Sequence, residues 1–188
     1  MADVQASPTP KVEEEMPFAI KRVQEVRKSA AEQKNRAKVL VYASAAESDL
    51  TELFAKVFVG SSGTKNDKLL DPKRPGALDF GTKIELSYRL GLISHRLKTH
   101  LDMIRDFRND CAHLENDFNF SETDYRSRIK GAFLELGTST QDAFKPPKSD
   151  DYENMFETIC TLSILSLQAT IEHRPKISEA VLEAMYIQ

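Results

Sequence analysis

Residues 79–113 spell out a helical hairpin, and no other segment constrains the chain as much. Phe80, Ile84 and Tyr88 recur at every fourth position, and Gly91 follows on the same face. Gly91 suits the left-handed residue that ends a helix. Ser94 suits the N-cap of a second helix over 95–113. Along that second helix Leu97, Leu101, Ile104 and Cys111 mark one apolar stripe. Arg108 falls in a slot of the stripe where an apolar residue is expected. A guanidinium there costs on the order of several kcal/mol unless it is paired, hydrogen-bonded or solvated. Asn109 and His113 follow, four positions apart and so neighbours on the helix surface. Arg108, Asn109 and His113 are therefore the candidate site.

The rest of the chain reads the same way. Val39, Ala43, Ala46, Leu50, Leu53 and Val57 alternate at three and four residues, a packing seam on a helix over about 33–59. Pro17 starts a basic helix before it, and whether 17–59 is one helix or two stays open. Gly60 and Gly63 end the seam, and 60–78 reads as a long loop. Ser121 is the expected cap of a helix over about 122–136, with Asp124 in a capping-box variant. Its stripe is Tyr125, Ile129, Ala132, Phe133 and Leu136. Residues 116–120 read as a short connection. The helix over 151–172 carries Tyr152, Met155, Phe156, Ile159, Leu162 and Leu165 and is apolar around much of its circumference. It belongs at the centre of the fold or at an oligomer interface, which makes a homodimer an expectation. Pro175 breaks it, and Ser178 caps a last helix. Nothing reads as a strand. The predicted fold is an all-α bundle of about six to seven helices. Its organisation is a disordered leader over 1–12, a basic helix within 13–36, a helical domain over 37–175 and a C-terminal helix within 176–188.

Composition agrees with a globular helical protein: 188 residues, 40% hydrophobic and 29% charged, with seven glycines and no tryptophan. The net charge of −3 carries no global nucleic-acid signature. Charge is uneven, however. Residues 21–38 hold seven basic and two acidic side chains, and residues 109–124 hold five acids and no Lys or Arg. Solvated faces explain both; a basic helix that grips an acidic partner or RNA is the rival. No basic-then-apolar leader and no membrane-length apolar run is present, so a cytoplasmic protein is expected. Cys111 and Cys160 read as buried thiols, with a disulfide left open.

Known chemical motifs are missing. The sequence has no phosphate-binding glycine loop, no His-Glu-x-x-His, no paired Cys-x-x-Cys and no calcium loop, so no cofactor and no metal are expected. His95 and His100 lie about 140° apart on a helix and cannot chelate as a pair. Arg108 and His113 diverge by the same angle. They converge only if the helix ends or bends near His113, or if a second subunit supplies its own copy.

The stretch Leu78-Asp-Phe-Gly-Thr-Lys83-Ile84, then Tyr88-Arg-Leu90-Gly91-Leu92-Ile93, then Ile104-Arg105 and Arg108-Asn109-Asp-Cys-Ala112-His113 resembles the signature of the mannitol operon repressor family. That signature has a Phe and a Lys before an Ile, a Tyr-Ala-Leu-Gly-Leu-Ile block and an Arg-Lys-Ile-Arg-Asn-x-Phe-Ala-His block. Arg89, Asp106-Phe107 and Cys111 depart from it. The resemblance covers roughly residues 37–170. It implies an all-helical transcriptional regulator that acts through protein partners, with direct DNA binding disfavoured; Phe80, Lys83, Tyr88, Arg105, Arg108, Asn109 and His113 carry the signature. The same residues resemble the Arg-x4-His motif of the HEPN superfamily. That resemblance implies the alternative, a metal-independent RNase or toxin-antitoxin component. There Arg108 would stabilise phosphate, His113 would act as general acid/base and Asn109 would orient the site.

Overall fold

The computed structural model describes residues 17–31, 34–58, 63–113, 118–137 and 150–174. Six helices and no strand occur among them: α1 (Phe18–Ala31), α2 (Asn35–Val57), α3 (Phe80–Arg89), α4 (His95–His113), α5 (Thr123–Leu134) and α6 (Tyr152–His173). The fold is an all-α bundle. The expected leader, the last helix over 176–188 and the loop at Pro146-Pro147 lie outside the described residues.

The segment left open at 17–59 is two helices. Arg22 of α1 bonds Asp49 of α2 at 3.1 Å, so α1 folds back antiparallel along α2. The seam residues Val39, Ala43, Ala46, Leu50 and Leu53 are all buried. Their small first half lets neighbouring helices approach closely.

The hairpin forms as its turn residues dictate. The Asp79 carboxylate accepts from the Thr82 amide at 2.7 Å and caps α3. Gly91 takes φ 65°, where a Cβ would be strained, and the Leu92 amide bonds back to the Ser87 carbonyl at 2.9 Å. Ser94 Oγ accepts from the Leu97 amide at 3.2 Å and starts α4. The buried face of α3 is Phe80, Lys83, Ile84 and Ser87, so Tyr88 points outward against the His95 ring. A register starting at Phe80 on a 3.6-residue helix drifts by about 80° over eight residues, enough to move Tyr88 off the core.

α6 is the central helix. It packs against α1, α2, α4 and α5, and its apolar circumference is consumed inside the chain. Asp151 caps it through the Asn154 amide at 3.0 Å. Lys38 near the start of α2 bonds both Glu153 and Glu157 near the start of α6, and Lys56 near the end of α2 donates to the Ile171 carbonyl at 2.7 Å. The two helices therefore run parallel. Burial disfavours the Lys38 ammonium, yet its bonds to Glu153 and Glu157 raise its pKa above the ordinary value.

The aromatic core joins four segments. Phe107 stacks on Phe156 at 5.7 Å, and Phe118 packs against Phe120 at 5.0 Å and Tyr125 at 4.4 Å. Phe118 and Phe120 belong to the short connection before α5, so this connection is core. The cap of α5 differs from expectation: Glu122 holds that position without a side-chain bond, and Asn119 Oδ1 accepts from the Ser121 amide at 3.0 Å. Cys111 and Cys160 are free and buried. Burial pushes the Cys111 thiol up to about 11 and the Cys160 thiol well above its usual value, leaving neither reactive at neutral pH.

Candidate functional site

The stripe on α4 turns at Ile104. From there the helix buries Phe107 and Cys111, and Phe107, not Arg108, fills the core slot. Steps of three and four both follow Ile104 on one helical face, and the larger apolar ring takes the inner one. Arg108 sits at the edge, with its side chain 38% exposed.

The guanidinium has defined partners there. An Arg108 terminal nitrogen lies 3.3 Å from Glu47 Oε2 of α2. The guanidinium carbon lies 5.9 Å from the centre of the Phe80 ring of α3. The other oxygen of Glu47 accepts from Lys83 Nζ at 3.4 Å, and the Lys83 side chain is only 3% exposed. One carboxylate thus bridges cations from two helices. Phe80, Lys83 and Arg108, separated in the sequence, meet at the junction of α2, α3 and α4. Glu47 completes the cluster, and sequence reasoning missed it. The signal was available: Glu47 and Asp49 are acids inside the seam, between Ala46 and Leu50.

Arg105 works on the neighbouring side of α4. It bonds Asp102 at 2.8 Å and Asp106 at 2.7 Å, while Lys98 bonds Asp102 and Arg128 of α5 bonds Asp106, each at 2.7 Å. Partial burial would raise the Asp106 pKa, but the bonds from Arg105 and Arg128 hold it below the usual carboxylate value. Arg105 also lies over Gly81, where a Cβ would stand 3.3 Å from a guanidinium nitrogen. Tyr88 stands apart from this cluster, at the other end of the hairpin beside His95.

Asn109 and His113 are exposed. α4 is continuous through His113, its last residue, so Arg108 and His113 point about 140° apart within one chain. The basic segment is less free than its count suggests. Arg22 is bonded to Asp49, Lys38 is buried between two glutamates, and Lys34 and Arg36 have partners as well. Of the acidic stretch, Asp110, Glu122 and Asp124 line an open cleft of about 660 Å³ with Tyr125 and Arg128. No group of three or more metal-ligating side chains gathers among the described residues. No described helix is long and apolar enough to cross a membrane.

Fold and junction together define a class: an all-α bundle around a central helix, with an α-hairpin tied to the second helix by one shared carboxylate. Within that class the chain is similar to a chain in the X-ray structure of the MtlR-HPr complex from Escherichia coli. The TM-score is 0.53 and the identity 18%, over 83% of this chain and 99% of that one. MtlR is the mannitol operon repressor. At this identity the likeness is one of fold. No protein-family model and no curated protein matches the sequence.

Proposed function

We propose that this chain is a cytoplasmic transcriptional regulator of the mannitol-repressor type. It acts by docking a partner protein, not by reading DNA itself. The observation that carries the reading is the engagement of Arg108. An RNase of the HEPN kind needs that guanidinium free to meet phosphate, whereas here it faces Glu47 and covers Phe80. The signature residues Phe80, Lys83 and Arg108 then serve as a brace that fixes the hairpin on α2. The structural neighbour is a complex with HPr, which makes HPr the first partner to test.

The test is calorimetric titration of the purified chain with HPr, beside a gel-shift series on operator DNA. A saturable complex with a Kd of about 0.1–100 μM, and no preference for operator sequence, is the expected result. Tight sequence-specific operator binding by the pure chain would overturn the protein-docking mechanism. RNA cleavage that vanishes in both Arg108→Ala and His113→Ala would instead establish the RNase alternative, through the exposed Asn109 and His113.

A further inference from the structure

A second polar site lies at the far end of α4 from His113. Ser94, Arg96 and His100 of this helix face Leu136 beyond α5 and Ser163 and Ser166 of α6 across a cleft of about 280 Å³. His100 is 3% exposed, and its Nε2 has no hydrogen-bond partner. A buried ring nitrogen without a partner costs free energy, and His100 is among the residues that line this cleft. The first bond within α4 is Lys98 to Ser94, at 3.0 Å, so the amides of His95 and Arg96 precede the helical ladder. Arg96 is exposed and has no ion pair among the described residues. The Ser94 hydroxyl accepts from the Leu97 amide and keeps its own proton to donate.

We propose that this cleft binds a small phosphate-class anion, either inorganic phosphate or the phosphoryl group of a small phosphomonoester. The anion would sit on the N-terminus of α4, held by the free amides, Ser94 and the Arg96 guanidinium, with the His100 ring beneath it. In the free protein burial disfavours the protonated His100 ring most; Glu135 favours that form, Arg96 opposes it, and the Ala132 carbonyl also favours it. A bound anion adds to the favouring side, so binding and protonation of His100 are coupled. The site is independent of the regulator reading.

The probes are inorganic phosphate and glycerol 3-phosphate. Each is titrated into the full chain at constant ionic strength and followed by nitrogen-15 NMR of the His95–Leu97 amides and the His100 ring. Saturable shifts of these signals, together with protonation of His100 at higher pH when the anion is bound, are expected. Tighter binding of glycerol 3-phosphate would identify a phosphomonoester as the ligand, and equal binding would identify the free anion. Arg96→Ala, an exposed change that leaves the core intact, should weaken binding about tenfold or more. Arg89→Ala, on the outside of α3, should leave it within about twofold. Shifts that never saturate, that chloride reproduces, or that persist unchanged in Arg96→Ala would overturn the proposal.

Discussion

Arg108 and Glu47 face each other across the α2–α4 contact at 3.3 Å, and the same carboxylate holds the buried Lys83 at 3.4 Å from its other oxygen. The two cations differ in what they lose without Glu47. Lys83 is enclosed, so Glu47→Ala leaves a buried ammonium without its counter-ion, at a cost of about 3 kcal/mol. Arg108 can turn to water, so Arg108→Ala should cost about 1 kcal/mol or less. Urea denaturation of both variants measures the ratio. Equal losses would mean that the brace is not organised around Lys83.

His100 sets a pH dependence on the acid side. Burial holds its imidazole below the ordinary value of 6.5, against Glu135 and the Ala132 carbonyl and together with Arg96. Below pH 6.5 the unfolded chain therefore binds a proton that the folded chain takes up only at lower pH. Stability from this group is complete above that value and falls as pH drops through the window beneath it. His100→Gln should flatten the slope of unfolding free energy on the acid side of pH 6.5. An unchanged slope would assign the loss to other groups.

Lys38 acts at the opposite limit. Its folded-state pKa lies above 10.5, so its contribution is complete below that value and is lost as pH rises past it. Lys38→Met also leaves Glu153 and Glu157 facing each other one turn apart. The variant should lose about 3 kcal/mol at neutral pH in chemical denaturation.

Gly131 lies inside α5, and a Cβ built there meets no atom within 4 Å. Gly131→Ala should therefore stabilise the protein by about 1 kcal/mol through helix propensity alone. In a thermal melt that corresponds to a rise of about 2–4 °C. A fall in Tm would show that the outer face of α5 is occupied in solution.

Much of the fold was legible because it rests on local signals. Gly91 and Ser94 end one helix and start the next, and the three-four spacing of Val39 to Leu53 marks a buried seam. The hairpin and α2 follow from those residues. What the sequence obscured depends on distant partners. The spacing of Leu101 and Ile104 fits either Phe107 or Arg108 as the next inward residue, and only the ring of Phe156 decides for Phe107. Phe118 and Phe120 sit in a stretch too short for any period, so their burial had no local sign. In the candidate site, Arg108 was visible as an anomaly. Its acid, Glu47, lies on another helix, and nothing in the spacing of α4 points to it.

The parallel pairing of α2 with α6 bears on how the chain is made. Residues 38 and 153 must meet, and so must 56 and 171, so the principal contacts of the bundle close loops of 115 residues. Such long closures are entropically costly and slow. During synthesis α2 leaves the ribosome early, and the part of its surface that packs on α6 stays uncovered until the last described helix arrives. A nascent chain stopped before residue 152 lacks the element on which α1, α2, α4 and α5 converge, and it should be degraded instead of accumulating as a partial fold.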